Sequence, residues 1–224
     1  MYINMAVWPV IVFDLETTGF LKDPNAVPTV GVLVTTNEGD VCHFRQHEMG
    51  TLANAIKASG YCAGFNVLEF DLPFLQRYTG VDLTGVKVFD PLAEIRATRG
   101  FDKAGTWKLQ TIATYNLNIC KSGDGANAVQ LWKDGKIDEL LAYCDQDVMV
   151  TNALIKRLWE QIELRGSATL KSEIGGVGEP VEVQIDLNWR TFNAPAPVAV
   201  QSSWAAKYEA EYKATYGQYA SAWD

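Results

Sequence analysis

An apolar run at residues 10–13 passes without a break into Asp14-Leu15-Glu16-Thr17-Thr18-Gly19, so a strand that starts in the core ends on two acids. A short apolar run bounded by turn residues predicts a buried strand. Residues 29–36 predict a second strand, and the turn Asn37-Glu38-Gly39-Asp40 leads into a third at residues 41–44. Together these read as an antiparallel meander. Next come a short helix over 51–58, a strand over 61–65, a helix over 71–78 and a strand over 86–89. Strands alternating with helices add parallel neighbours to a sheet. From Pro91 on the spacing turns helical. One helix, capped by Thr106, starts near Lys108 and ends at Tyr115-Asn116. A glycine-rich loop, Lys121-Ser122-Gly123-Asp124-Gly125, leads to a helix over 126–133 and then to a long one over 137–164. In the long helix Leu140, Leu141, Cys144, Val148, Leu154, Ile155, Leu158 and Ile162 recur at three- and four-residue steps, which turns one face to the core.

The character changes after Gly166-Ser167. Residues 169–174 and 181–187 flank Gly175-Gly176-Val177-Gly178 as a hairpin, and a Pro195/Pro197 linker follows. Beyond it Trp204, Tyr208, Tyr212 and Tyr216 stand four apart, an aromatic stripe on a helix. The expected organisation is an α/β domain over residues 1–166, with an extension over 167–224 (hairpin, linker, aromatic helix) docked on it.

Composition narrows the picture. At 224 residues the chain can bury a full core. No apolar stretch is long enough to span a bilayer, and no secretory signal is readable before Trp8, so a cytoplasmic protein without membrane contact is expected. Cys42, Cys62, Cys120 and Cys144 form no Cys-x-x-Cys pair and read as reduced thiols. Cys42-His43-x-x-x-His47 offers too few ligands for a structural zinc site. The net charge of −8 argues against a protein that coats nucleic acid by general electrostatics. It leaves room for a nucleic-acid enzyme, because metals at an acidic site bring positive charge of their own. Residues 87–136 run against the trend, with Lys and Arg outnumbering Asp and Glu.

The candidate chemistry lies in three clusters. Side chains alternate along a strand, so Asp14 and Glu16 share a face, and two crowded anions at the end of a buried strand repel each other unless a cation sits between them. In Asn66-Val67-Leu68-Glu69-Phe70-Asp71, Asp71 opens a helix, where free amides and the helix dipole favour a carboxylate. In Tyr143-Cys144-Asp145-Gln146-Asp147, Tyr143 and Asp147 lie one helical turn apart and share a face, while Asp145 points elsewhere.

Asp-x-Glu, then Asn-x-x-x-Phe-Asp, then Tyr-x-x-x-Asp, in that order, resembles the DEDD superfamily of 3′–5′ exonucleases in its tyrosine variant. That variant includes polymerase proofreading domains and the ribonuclease D type. The stretch from Thr106 to Thr151 is similar to stand-alone exonuclease domains related to family-B polymerase proofreaders. The position that holds histidine in the other variant is Ala142 here. The resemblance implies a ribonuclease H-like fold, a mixed five-stranded sheet with helices on both faces. It also implies two divalent cations, Mg²⁺ or Mn²⁺, held by Asp14, Glu16, Asp71 and Asp147, with Tyr143 orienting the attacking water. Oxygen donors suit such hard ions, and a pair of them can stabilise both oxygens of an in-line displacement at phosphorus. By the same resemblance Leu15, Thr17, Asn66 and Phe70 line a pocket for the 3′-terminal nucleotides of a single strand, DNA rather than RNA, in a role such as repair or end-trimming. Phe70 can instead pack inward, and Asn66 cap a turn. Lys121 on its glycine-rich loop is a candidate phosphate contact. The loop is not a nucleotide-triphosphate P-loop, since the preceding Asn118-Ile119-Cys120 lacks the required glycine. Rival readings are an exoribonuclease, an endonuclease on the same fold, and a binding module that has lost its chemistry.

Overall fold

The computed structural model describes residues 11–36, 39–99, 107–119, 125–173, 181–186 and 188–193. Strand β1 is Ile11–Thr17, β2 is Pro28–Thr35 and β3 is Val41–Arg45. Helix α1 (Met49–Ser59) precedes β4 (Tyr61–Ala63), and α2 (Asp71–Thr79) precedes β5 (Lys87–Phe89). Four helices follow: α3 (Pro91–Arg99), α4 (Leu109–Leu117), α5 (Gly125–Lys133) and the 29-residue α6 (Ile137–Arg165). Strands β6 (Ala168–Ser172), β7 (Val181–Ile185) and β8 (Arg190–Thr191) complete the order.

Six strands form one sheet in the order β3-β2-β1-β4-β5-β8. β1, β2 and β3 are the antiparallel meander, β4 and β5 add in parallel, and β8 returns antiparallel to β5. β6 and β7 pair separately as a hairpin. The sheet is thus mixed, with β8 as a sixth strand that the hydrophobic pattern did not reveal. Two residues long, β8 is held by side chains rather than by a run of apolar residues. Arg190 and Asn188 both donate to the buried carboxylate of Glu94, and Trp189 packs edge-on against Tyr61. Residues 168–191, expected in the C-terminal extension, therefore include a strand of the main sheet. Chain contacts divide the protein into a unit Met1–Ala194 and a unit Pro195–Asp224; the second, with its aromatic stripe, lies outside the described residues.

Alternation along the strands builds two cores, one on each side of the sheet. Ile11, Phe13, Leu15 and Leu33 point to the layer of α1 and α2, where Leu52, Ile56, Leu72 and Phe74 meet them. Val12, Val30, Val32 and Val34 point the other way, to the layer containing α6, and are met by Leu140, Cys144, Val148 and Leu154. Burying these side chains from water is the main driving force of the fold. The same alternation turns Asp14 and Glu16 toward α6. Among the described residues no helix is long and apolar enough to cross a membrane.

Close backbone approach fixes the junction between β4 and the segment that leads to Asp71. A Cβ at Gly64 would overlap the Val67 side chain and stand 2.8 Å from the carbonyl oxygen of Phe13 in β1. Gly64→Ala is expected to destabilise the protein by about 1–3 kcal/mol through overpacking. It should lower the urea midpoint at an unchanged slope. Gly50→Ala meets nothing within 4 Å in α1 and should be neutral or slightly stabilising, which provides the control.

Candidate active site

β1 carries its two acids past the edge of the apolar core. Asp14 and Glu16 are half-buried, each placed opposite a fully buried valine of β2, Val32 and Val30 respectively. A register irregularity between Glu16 and Thr17 ends the regular pairing there. Beyond it the Thr17 hydroxyl donates to Gly19 O (2.7 Å), and the Thr29 hydroxyl donates to Glu16 O (2.9 Å). The chain thus turns away immediately after the second acid.

Each neighbouring layer brings one further acid to this strand end. From the α2 layer comes Asp71, only 3% exposed, whose Oδ1 accepts the backbone N–H of Leu15 at 3.1 Å. That bond docks the start of α2 onto β1 between the two acids. From the α6 layer come Tyr143, half-buried against the core, and the buried Asp147 one turn later. Between them the buried Cys144 thiol lies 3.6 Å from both Asp14 O and Asp14 Oδ2, positioned to donate its S–H to that residue. Ligand atoms of Asp14, Glu16 and Cys144 all fall within 4.8 Å of one another. Asp145 faces away, as its position on the helix requires, and pairs with His43 of β3 at 2.7 Å.

The electrostatics are those of crowded anions. Burial raises the Asp71 pKa well above the usual carboxylate value; Asp14 adds to this, the Leu15 N–H opposes it, and Asp90 and Glu16 raise it further. The Cys144 thiol is likewise held protonated by burial, then by Asp14, Glu16 and Asp147. A hard divalent cation would relieve the repulsion felt by Asp71, and carboxylate oxygens are the donors such ions take. The residues fit that group. A protonated thiol is a poor ligand for a hard ion, so Cys144 serves Asp14 as a hydrogen-bond donor.

A family model of the RNase H superfamily matches residues 11–159, more than half of the chain and the whole of the region just described. The chain belongs to the RNase H superfamily. Membership points to nuclease-type chemistry on nucleic acid, supported in this fold by divalent cations. No curated protein matches the chain.

The remaining expected residues fall at different depths. Leu15 has its side chain in the α1/α2 core, so it offers the site only its backbone. Asn66 is half-buried at a left-handed φ of 67°, with its side-chain oxygen accepting from Arg96 at 3.3 Å. Phe70 is partly exposed and packs on Phe74 with ring centroids 5.0 Å apart. Lys121 and Thr106 lie outside the described residues. One charged residue escaped the sequence reading. Asp90, at the end of β5, is 1% exposed and accepts four backbone N–H groups. Its signal was Phe89-Asp90-Pro91, an acid at an N-cap followed by a proline at the first helical position.

Burial raises the Asp90 pKa from 3.8 to about 6, against the opposing effect of the Leu68, Asn66, Ala93 and Leu92 amides. Asp71 is raised in the same direction. A carboxyl whose folded pKa exceeds its unfolded one binds more protons when folded, so stability falls as pH rises from about 4 through about 6. Chelated, metal-free protein should therefore melt at a higher temperature at pH 5 than at pH 7.5. Millimolar Mn²⁺ or Mg²⁺ at pH 7.5 should recover the difference by binding the native state. Melting curves with and without chelator check both statements.

Proposed function

We propose that the protein is a metal-dependent 3′–5′ exonuclease that trims single-stranded ends, DNA rather than RNA, and releases 5′-mononucleotides. The observation that carries this reading is that Asp71 from one layer bonds β1 between Asp14 and Glu16, while from the other layer Cys144, one residue after Tyr143 and one turn before Asp147, bonds Asp14. Divalent cations held by Asp14, Glu16, Asp71 and Asp147 would supply charge stabilisation to the reacting phosphate. The chain's own groups do the rest. Asp71 is held in place by the Leu15 amide, and Asp14 by the Cys144 thiol. Tyr143 stands one turn from Asp147 on α6, and in this reading its hydroxyl orients the attacking water. A phenol with a pKa near about 10 in water orients better than it deprotonates.

Aromatic residues stand beside the acids in the sequence, and rings of that kind suit unpaired bases. Phe70 immediately precedes Asp71, and Phe20, 71% exposed, lies four residues beyond Glu16. Stacking on such rings tolerates any base sequence. The preference for DNA rests on the resemblance of the Asn66-to-Asp71 and Tyr143-to-Thr151 segments to polymerase proofreaders. A cytoplasmic role in repair or end-trimming is part of this reading.

Asp14→Ala should lower the rate on a 3′-labelled single-stranded oligonucleotide by more than the roughly 100-fold that loss of an outer hydrogen bond to a ligand causes. Circular single-stranded DNA should survive intact, since the reaction needs an end. Nicking of the circle would transfer the reading to an endonuclease. Faster release from matched RNA would replace DNA as the substrate while keeping the direction of degradation.

A further inference from the structure

Asp90 belongs to none of the three motifs, yet its carboxylate links two parts of the fold. On one side Oδ1 accepts the Leu92 N–H at 3.0 Å and the Ala93 N–H at 3.4 Å, both in the first turn of α3. On the other, Oδ1 accepts the Asn66 N–H at 2.9 Å and Oδ2 accepts the Leu68 N–H at 3.1 Å. Residues 66 and 68 lie between β4 and α2, where neither a helix nor a strand satisfies their amides.

Capping α3 requires only the first pair of bonds, and a neutral Ser or Asn side chain caps a helix as well as Asp does. A buried carboxylate is costly unless strongly hydrogen-bonded, and here it adds an anion to a neighbourhood that already holds Asp71. The second oxygen adds the Leu68 bond, and the charge strengthens that bond and the Asn66 bond alike. Those bonds hold the segment that runs directly into Asp71. Within it Phe70 N–H donates to Asn66 O at 3.0 Å, and Leu72 N–H donates to Val67 O at 2.9 Å. The loop is therefore a short chain of backbone bonds, anchored at its start by Asp90 and closed at its end by Asp71 on β1. Arg96 of α3 grips the same loop through Asn66 Oδ1 and an ion pair with Glu69.

We propose that Asp90 is a positioning residue: by clamping residues 66 and 68 to the start of α3, it sets where the Asp71 carboxylate stands beside Asp14 and Glu16. The role of Asp71 as a cation ligand rests on the function proposed above; the clamp itself does not.

Asp90→Asn keeps one acceptor oxygen for the α3 cap and the Asn66 N–H but removes the charge and turns an N–H donor toward the Leu68 amide, which opens the clamp at that residue. Mn²⁺ affinity, measured by paramagnetic resonance of free ion, should weaken about 10- to 100-fold. On an oligonucleotide kcat should fall more than KM rises. Glu94→Gln, on the same helix but anchoring Arg190, should lower the melting temperature and leave Mn²⁺ affinity unchanged. Wild-type Mn²⁺ affinity in folded Asp90→Asn would overturn the proposal and reduce Asp90 to a helix cap. Amide exchange in the wild-type protein tests the clamp without metal, activity or a folded variant. The Asn66 and Leu68 amides should exchange slowly although they lie in a loop, and rapid exchange at both would also overturn it. Wild-type protein that binds Mn²⁺ and degrades no oligonucleotide would remove the exonuclease reading while the clamp stands.

Discussion

The repulsion among Asp14, Glu16 and Asp71 is the constraint around which the rest of this fold is arranged. Three carboxylates at one strand end, one of them almost wholly removed from water, oppose folding at neutral pH unless something offsets them. The chain itself supplies donors to these acids. One backbone amide bonds Asp71, and one thiol bonds Asp14. A divalent cation bound among these acids would relieve the repulsion further, and its binding and the folding stability would then be two readings of one electrostatic quantity.

Delivering acids from both sides of a sheet requires both sides to be covered. β1 is central, with β2 antiparallel on one flank and β4 parallel on the other, and it is buried by α1 and α2 on one face and by α6 on the other. An edge strand would lack one of those layers. The central position also explains the tight backbone contacts at Gly31 and Gly64, where any side chain would collide with neighbours that the site needs in place. Rigid packing here supports the chemistry, because a ligand set displaced by about 1 Å loses much of its use.

Much of this was legible in the residues, for identifiable reasons. Apolar runs of strand length and a helix-length stripe on α6 gave the element order, since burial imposes period 2 or 3.6 on any sequence that satisfies it. The boundaries moved where polar residues continue an element. β1 runs on through Asp14 and Glu16 to Thr17, because ladder bonds to β2 persist after the apolar run has ended. β8 stayed hidden because its two residues are fixed by Glu94 and by aromatic packing on Trp189, contacts that leave no periodic trace. The same holds at the site. Asp14, Glu16, Asp71, Tyr143 and Asp147 stood out by spacing, whereas the Cys144 thiol read as a core residue and Asp90 as an unremarked loop acid. Cys144 bonds Asp14, far away in the chain, and Asp90, beyond its local helix cap, bonds residues 66 and 68, relations that no local pattern encodes.

A net charge of −8 and an acidic pocket set a further condition on any polyanionic substrate. Phosphates approaching Asp14 and Glu16 would meet repulsion at short range, where screening by salt is weakest. Divalent cations held there would reverse the sign of that local field, so a nucleic-acid end would be held once the ions are in place. The order follows from the charges alone. In the proposed function attraction would rest first on the ions, and Phe70 is an aromatic side chain that would meet a base. The proposed exonuclease would be served by such local attraction, because strong contacts along the whole backbone would slow its movement toward the next phosphate.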